Sequence, residues 1–201
     1  MRLMKLIAIT GGIGSGKSVV SRIVSVMGHE VYDCDSRAKA LMTQSDEVRQ
    51  LLVEAFGKET YHNDGSLNRE HLSSIAFSDD EALARLNGIV HPATARDMQR
   101  WAKEQADRGS EVAFIETALF RTAGLDHLVD EVWHVTAPAN VRIQRVMARS
   151  RLTESQVAER IAAQSVEEAV VPDEHVIVND GVSAVLPQVE RLLYREEQQK
   201  L

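Results

Sequence analysis

One short segment limits this chain more than any other: Gly11-Gly12-Ile13-Gly14-Ser15-Gly16-Lys17-Ser18, which satisfies G-x-x-x-x-G-K-[ST]. It follows an apolar run over residues 6–10. It precedes a stretch, 18–27, whose apolar positions Val20, Ile23, Val24 and Met27 recur at helical spacing, with Gly28 placed as a C-cap glycine. Strand, glycine-rich turn and helix, in that order, let backbone amides turn inward as a nest for phosphate oxygens. The glycines permit the positive dihedrals a nest needs, and the helix aims the partly positive end of its dipole at the same oxygens. Gly12, Ile13, Gly14, Ser15, Gly16, Lys17 and Ser18 are therefore the candidate nucleotide-binding residues. Lys17 is placed to reach the β- and γ-phosphates, and the Ser18 hydroxyl is the candidate ligand for Mg²⁺. The segment predicts a nucleoside triphosphate site. No N-K-x-D or T-K-x-D follows it, which disfavours a GTPase, and 201 residues are few for an oligomeric motor ATPase. A small-molecule kinase is the leading class.

The rest of the chain supplies a sheet for that loop. Five short runs rich in β-branched residues read as strands: 6–10, 30–32, 112–115, 131–136 and 176–178. They are mostly apolar throughout, as strands of a parallel sheet covered on both faces must be. Helical stretches separate them, notably 140–150 and 154–164, the second opened by a Thr153/Gln156 capping box. A closing helix is expected over 183–194, with Pro187 tolerable only in its first turn, and a frayed end over 196–201. The expected fold is α/β, a five-stranded parallel sheet flanked by helices. Nearly eighty residues separate the second and third strands, where a crossover needs roughly a dozen or more. Residues 36–56, 68–77 and 79–108 all read as helical, so this stretch predicts a helical insert suited to holding a second substrate.

Composition narrows the setting. With 44% hydrophobic residues the chain can build one substantial core, and its apolar runs are too short to cross a bilayer. A net charge of −7 argues against general adhesion to nucleic acid or anionic membrane. The basic residues are 17 Arg and 6 Lys, and arginine is the usual reader of phosphate forks. A single cysteine, Cys34, cannot form an intramolecular disulfide and suits a reducing compartment. Arg2 and Lys5 precede an apolar run as in a signal peptide, but glycines follow where its core should continue. The expectation is a first strand, and a cytoplasmic protein.

An acidic pair follows the second run, in Val31-Tyr32-Asp33-Cys34-Asp35. Residues two apart in an extended chain share a face, so Asp33 and Asp35 are expected to point together and Cys34 to pack on the other side. One carboxylate there can take the proton of an attacking hydroxyl while the other orients it or holds magnesium through water. The alternative is that Asp35 caps the helix opened by Ser36. Further on, Arg145 and Arg149 stand four apart on one helical face. On a mobile lid they would stabilise charge on a transferring phosphoryl group; otherwise they form a solvated face.

Taken together, the ordered motifs resemble the dephospho-coenzyme A kinase family over nearly the whole chain. They are Thr10–Ser18 with the phosphate loop, Val31–Asp35 followed by Ala38-Lys39, Gly65-Ser66-Leu67-Asn68-Arg69 with Leu72 and Phe77, and Leu86-Asn87 followed by His91-Pro92. The C-terminal set is Arg145-x-x-x-Arg149, Arg160-Ile161-x-x-Gln164 and Val176-Ile177-Val178-Asn179. The resemblance implies a single kinase domain over 1–201 on the P-loop NTPase fold: a nucleotide-binding core (1–35 and 109–201), an acceptor-binding insert (about 36–108) and a small helical lid (about 149–165). It implies transfer of the ATP γ-phosphate to the ribose 3′-hydroxyl of dephospho-CoA, with Mg²⁺, by a monomer or small homo-oligomer. Asp35 is then the likelier base and Asp33 its neighbour, with Lys17, Arg145 and Arg149 serving phosphate charge. Asn179 lies in an adenine-contacting loop, although a bare Asn-Asp-Gly is also an ordinary turn. Arg69 and His91, with Asp35, are candidates for holding the acceptor; His91-Pro92 alternatively ends a helix.

The chain departs from the family's pattern in three places. Thr117-Ala118-Leu119-Phe120-Arg121 stands where P-L-L-F-E is common, Val19 where Thr is common, and Glu174-His175 where an Ala-Asp pair is usual. The runner-up is another nucleoside- or nucleotide-directed kinase on the same core. A different class is a regulatory or assembly protein that binds ATP and barely turns it over. The acidic pair and the lid arginines favour chemistry, because a binding switch needs neither.

Overall fold

The computed structural model describes residues 4–76, 78–164 and 174–198. Phe77, the last residue of the expected lid at position 165, and the chain end over 199–201 lie outside the described residues. The chain divides into two compact units, Met1–Tyr32 with Ala102–Leu201, and Asp33–Trp101.

The first unit carries the sheet. Its strands are β1 (Lys5–Thr10), β2 (Glu30–Asp33, whose last residue belongs to the second unit), β3 (Val112–Glu116), β4 (Glu131–Thr136) and β5 (His175–Val178). They stand in the order β2-β3-β1-β4-β5, with β1 pairing β3 and β4 in parallel, and β4 pairing β5 in parallel. Ile7 lies opposite Phe114, Ile9 opposite Trp133, and Trp133 opposite His175. Every residue of β1 after Lys5 is buried, which is why the strand alternates so little: both its faces are covered. Helix α1 (Lys17–Val26) packs Val20 and Val24 against Ile7, Ile9, Phe114 and Trp133 in the main core, and Gly28 beyond it takes a φ of 93°. The closing helix, α8 (Leu186–Gln198), adds Val189, Leu192 and Leu193 to the same cluster. It begins three residues later than expected and holds Pro187 in its first turn, where a missing N–H costs nothing. Between β4 and β5 stand α6 (Ala139–Arg149) and α7 (Glu154–Ala163), the latter opened by the expected capping box.

The sheet order places β1 and β3 side by side although the chain leaves them in opposite directions across the sheet, from β1 to β2 and from β3 to β4. In an open α/β sheet, that reversal leaves a crevice at the carboxyl ends of the two strands. The phosphate loop opens from the end of β1, and Thr117, just past β3, donates its amide to the carbonyl of Ile9 at 3.1 Å.

The second unit is helical: α2 (Cys34–Gln44), α3 (Asp46–Phe56), α4 (Arg69–Ala76) and most of α5 (Asp80–Asp107). Val48, Leu52, Phe56, Leu72, Ala82 and Ala93 form its own core. One expectation is corrected here. The helical stretch 36–56 is broken at Ser45, which leaves helical geometry (φ −91°, ψ 116°) and caps α3 by accepting from the Val48 amide at 3.4 Å. The sequence carried that signal, since Ser45 followed by Asp46 and Glu47 is a helix start. The stretch 79–108 is helical as expected: α5 runs through Pro92 for 28 residues, so the alternative that His91-Pro92 ends a helix does not hold. Gly88 and Pro92 are both exposed, so the carbonyl that proline leaves without a donor is on the solvent side.

Candidate active site

The loop from Gly11 to Gly16 joins β1 to α1, and two of its glycines are demanded by packing as well as conformation. Gly11 has a φ of 138°, and a Cβ there would stand 2.2 Å from the Val135 carbonyl oxygen. Gly16, the N-cap of α1, has a φ of 95°, and a Cβ would stand 2.0 Å from Nδ2 of Asn179. The left-handed region costs a side-chain-bearing residue roughly 1–2 kcal/mol before any clash. Gly16→Ala is therefore expected to weaken nucleoside triphosphate binding at least ~10-fold. Isothermal titration checks this; an unchanged dissociation constant would show that the loop does not hold nucleotide in this conformation.

Carbonyls of the loop are gripped from behind by side chains far away in sequence. Arg142, buried on α6, donates Nε to the Ile13 carbonyl at 2.8 Å. Arg145, one turn on, donates to the Asn179 carbonyl at 2.9 Å and to its Oδ1 at 3.1 Å, and lies 3.4 Å from the carbonyls of Gly14 and Ser15. Asn179 in turn donates Nδ2 to the Ser15 carbonyl at 2.9 Å. Gln164, following α7, accepts the Ile13 amide on Oε1 at 2.7 Å. The Lys17 ammonium lies over the loop, donating to the Gly11 carbonyl at 2.7 Å and the Gly12 carbonyl at 3.4 Å. Three cations thus ring a glycine-rich turn at the start of a helix, an arrangement that favours a polyanion. Beyond Asn179, the amides of Ser183 and Val182 donate to Asp180 at 2.7 and 2.9 Å and hold its carboxyl below the usual carboxylate range.

Gly12 to Lys17, Arg145 and Asn179 therefore come together in the first unit, and Ser18 is exposed on the first turn of α1. Arg149 is the last residue of α6 and is exposed. Arg142 and Gln164 were not among the candidates. Arg142 gave no signal beyond an i, i+3 relation to Arg145, and Gln164 stood only inside a motif.

In the second unit the acidic pair differs from its expected geometry. Asp33 ends β2, and Cys34 already begins α2, so the two carboxylates do not lie along one extended strand. Both remain exposed while Cys34 is buried. The capping residue is Asp33 and not Asp35: its Oδ1 accepts from the Ser36 amide at 3.0 Å and its Oδ2 from the Ser36 hydroxyl at 2.6 Å. Asp35 sits in the first turn, where the helix dipole favours a negative charge. Arg69 opens α4 and is exposed; His91 is half-buried within α5.

Two of the departures in sequence meet in the fold. Arg121 pairs with Glu174, and Glu174 lies 3.1 Å from Nδ1 of His134, which is buried on β4. A basic residue after β3 and an acidic one before β5 thus compensate each other. No local pattern would have linked them.

Comparison with known proteins shows which family the whole chain resembles. The model of the dephospho-CoA kinase family matches residues 5–184. A dephospho-CoA kinase of Porphyromonas gingivalis is 39% identical over 192 residues, covering 94% of this chain and 93% of its own. One from Salinibacter ruber is 40% identical over 179 residues, covering 89% and 90%. The solved structure of a dephospho-CoA kinase from Campylobacter jejuni superposes with a TM-score of 0.71 at 20% identity, covering 98% of each chain, a likeness of fold.

Proposed function

The chain belongs to the dephospho-CoA kinase family, which phosphorylates dephospho-CoA with ATP as the last step of CoA biosynthesis, and from that premise we propose how its residues divide the work. Residues 1–35 and 109–201 form the nucleotide-binding core, residues about 36–108 hold the acceptor, and residues about 149–165 form a lid. The observation that carries this reading is the complete phosphate loop with Arg142, Arg145, Asn179 and Gln164 holding its backbone from behind.

In the reaction, the ribose 3′-oxygen of dephospho-CoA forms a bond to the γ-phosphorus as the bond from that phosphorus to ADP breaks. The hydroxyl proton passes to the Asp35 carboxylate, with Asp33 as its orienting neighbour. Lys17 and the loop from Gly12 to Ser18 hold the phosphates, and Arg149, at the exposed end of α6, stabilises charge on the group in transit. Arg145 acts through the loop and Asn179, which it holds beside the nucleotide. Arg69 and His91 are candidates for gripping the acceptor.

Mg²⁺ fits this donor set. It usually keeps several waters and takes few protein ligands, and the Ser18 hydroxyl beside the phosphates is such a ligand. Among the described residues no cluster of three acidic, His or Cys side chains stands ready for a metal held by protein alone. When bound, the ion would neutralise charge on the transferring phosphates.

Among the described residues, no helix is long and apolar enough to cross a membrane. A cytoplasmic setting agrees with a lone, buried cysteine, and we take the enzyme as a monomer or small homo-oligomer. The test is coupled ADP release with dephospho-CoA, adenosine and AMP. Release that depends on dephospho-CoA and exceeds that with the other two is expected. Faster release with adenosine or AMP would favour a nucleoside-directed kinase, and acceptor-independent release or none would favour the binding-protein reading.

A further inference from the structure

The helical unit holds a cleft of about 300 Å³ that no sequence motif marked. One wall is the face of α2 bearing Arg37, and the other is the face of α5 bearing Arg96, Asp97 and Arg100, with Glu47 of α3 at the rim. Asp97 is buried, its side chain only 5% exposed. It accepts from Arg37 through both oxygens, from Nε at 2.9 Å and from a terminal nitrogen at 3.0 Å, and it also pairs with Arg100. Arg96 pairs with Glu47 at 2.8 Å. Three guanidiniums thus face two carboxylates around the cleft.

A solvated arginine face needs no buried carboxylate beneath it. Desolvating Asp97 is costly, and what the arrangement achieves is orientation, since the carboxylate fixes two guanidiniums on opposite walls. Arg96 and Arg100 stay 56% and 66% exposed. A guanidinium has five N–H donors, so one ion pair leaves most of them able to meet an incoming anion. The forked shape suits phosphate oxygens better than a point charge would. Neither Arg69 nor His91 lines this cleft; nine residues along α5, or two and a half turns, put His91 on the face opposite Arg100.

We propose that this cleft seats the diphosphate of the acceptor, with Arg96 and Arg100 as its direct ligands and Asp97 as the positioning residue beneath them. The proposal rests on the assignment of dephospho-CoA as acceptor, whose diphosphate is its anionic part and is a separate group from the reacting hydroxyl. Binding there adds affinity without touching the reacting atoms, so its loss shows in KM and not in kcat.

The experiment compares wild type with Arg96→Gln, Arg100→Gln, the double variant and Asp97→Asn, measuring kcat and both KM values. Each arginine variant is expected to raise the KM for dephospho-CoA roughly 10-fold and the double variant roughly 100-fold, as charge-assisted hydrogen bonds to phosphate are lost. The kcat and the KM for ATP stay within about twofold of wild type. Asp97→Asn raises the same KM with kcat unchanged, a split that a merely structural role does not produce. Because Arg96 and Arg100 are exposed, their variants fold even where Asp97→Asn does not. An active wild type with an unchanged acceptor KM in both arginine variants overturns the cleft alone. An equal rise in the KM for ATP also overturns it, because the effect is then not specific to the acceptor. A wild type that releases no ADP with dephospho-CoA overturns the acceptor assignment and the cleft with it.

Discussion

Lys17→Ala is expected to lower kcat/KM for ATP roughly 10³-fold, the order of effect seen when a group that stabilises developing charge is removed from a preorganised site. The side chain contributes little to the core. It lies half-buried over the loop, with hydrogen bonds to the carbonyls of Gly11 and Gly12. Losing those bonds costs about 1 kcal/mol of stability, so the melting temperature should fall by a few degrees at most. Steady-state kinetics beside a thermal melt separates the two effects. A well-folded variant that keeps wild-type turnover would remove Lys17 from the phosphate site.

Asp35→Asn is expected to lower kcat by ~10²–10⁴-fold, the usual contribution of a general base. The substitution keeps the shape of the side chain and removes the charge that accepts the hydroxyl proton. ATP affinity should persist, since the loop residues are untouched. Structure makes the control sharper than the sequence alone allowed. Asp33, and not Asp35, is the cap of α2, accepting from the Ser36 amide and hydroxyl. Asn caps a helix about as well as Asp, so Asp33→Asn should leave the melting temperature unchanged, whereas Asp33→Ala should cost about 1 kcal/mol. Asp35 lies in the first turn, where its charge is worth only ~0.3–1 kcal/mol to the helix. A purely structural Asp35 therefore predicts a small loss of stability with full kcat. Full kcat in Asp35→Asn would end its assignment as the base.

The features legible in the sequence were those written in neighbouring residues. All five strands lie where short β-branched runs placed them, with ends shifted by one residue at most; in β1 and β3 burial on both faces leaves an unbroken apolar run, whereas the edge strands β2 and β5 are only partly buried. The Thr153/Gln156 capping box was readable for the same reason, as both of its hydrogen bonds close within one turn. The break at Ser45 had a local signal that a continuous helical reading passes over. The course of α5 agreed with the helical reading of 79–108, and the helix tolerates Pro92 because that proline faces solvent.

By itself the sequence determined the phosphate loop, the alternation of strands and helices, and the helical stretch between the second and third strands. Each follows from dihedral preference, capping or apolar periodicity acting over a few residues. Tertiary structure alone decided what holds the loop and which carboxylates the distant arginines meet. Arg142 reaches the Ile13 carbonyl across 129 positions of chain, and Gln164 reaches the Ile13 amide across 151. Arg37 meets Asp97 across 60, and Arg121 meets Glu174 across 53. Ion pairs and side-chain hydrogen bonds over such distances leave no periodic trace, because a charged residue reads the same in sequence whether it faces water or a partner. Only the packing of β4, α6 and α7 in one unit, and of α2 against α5 in the other, selects the partner.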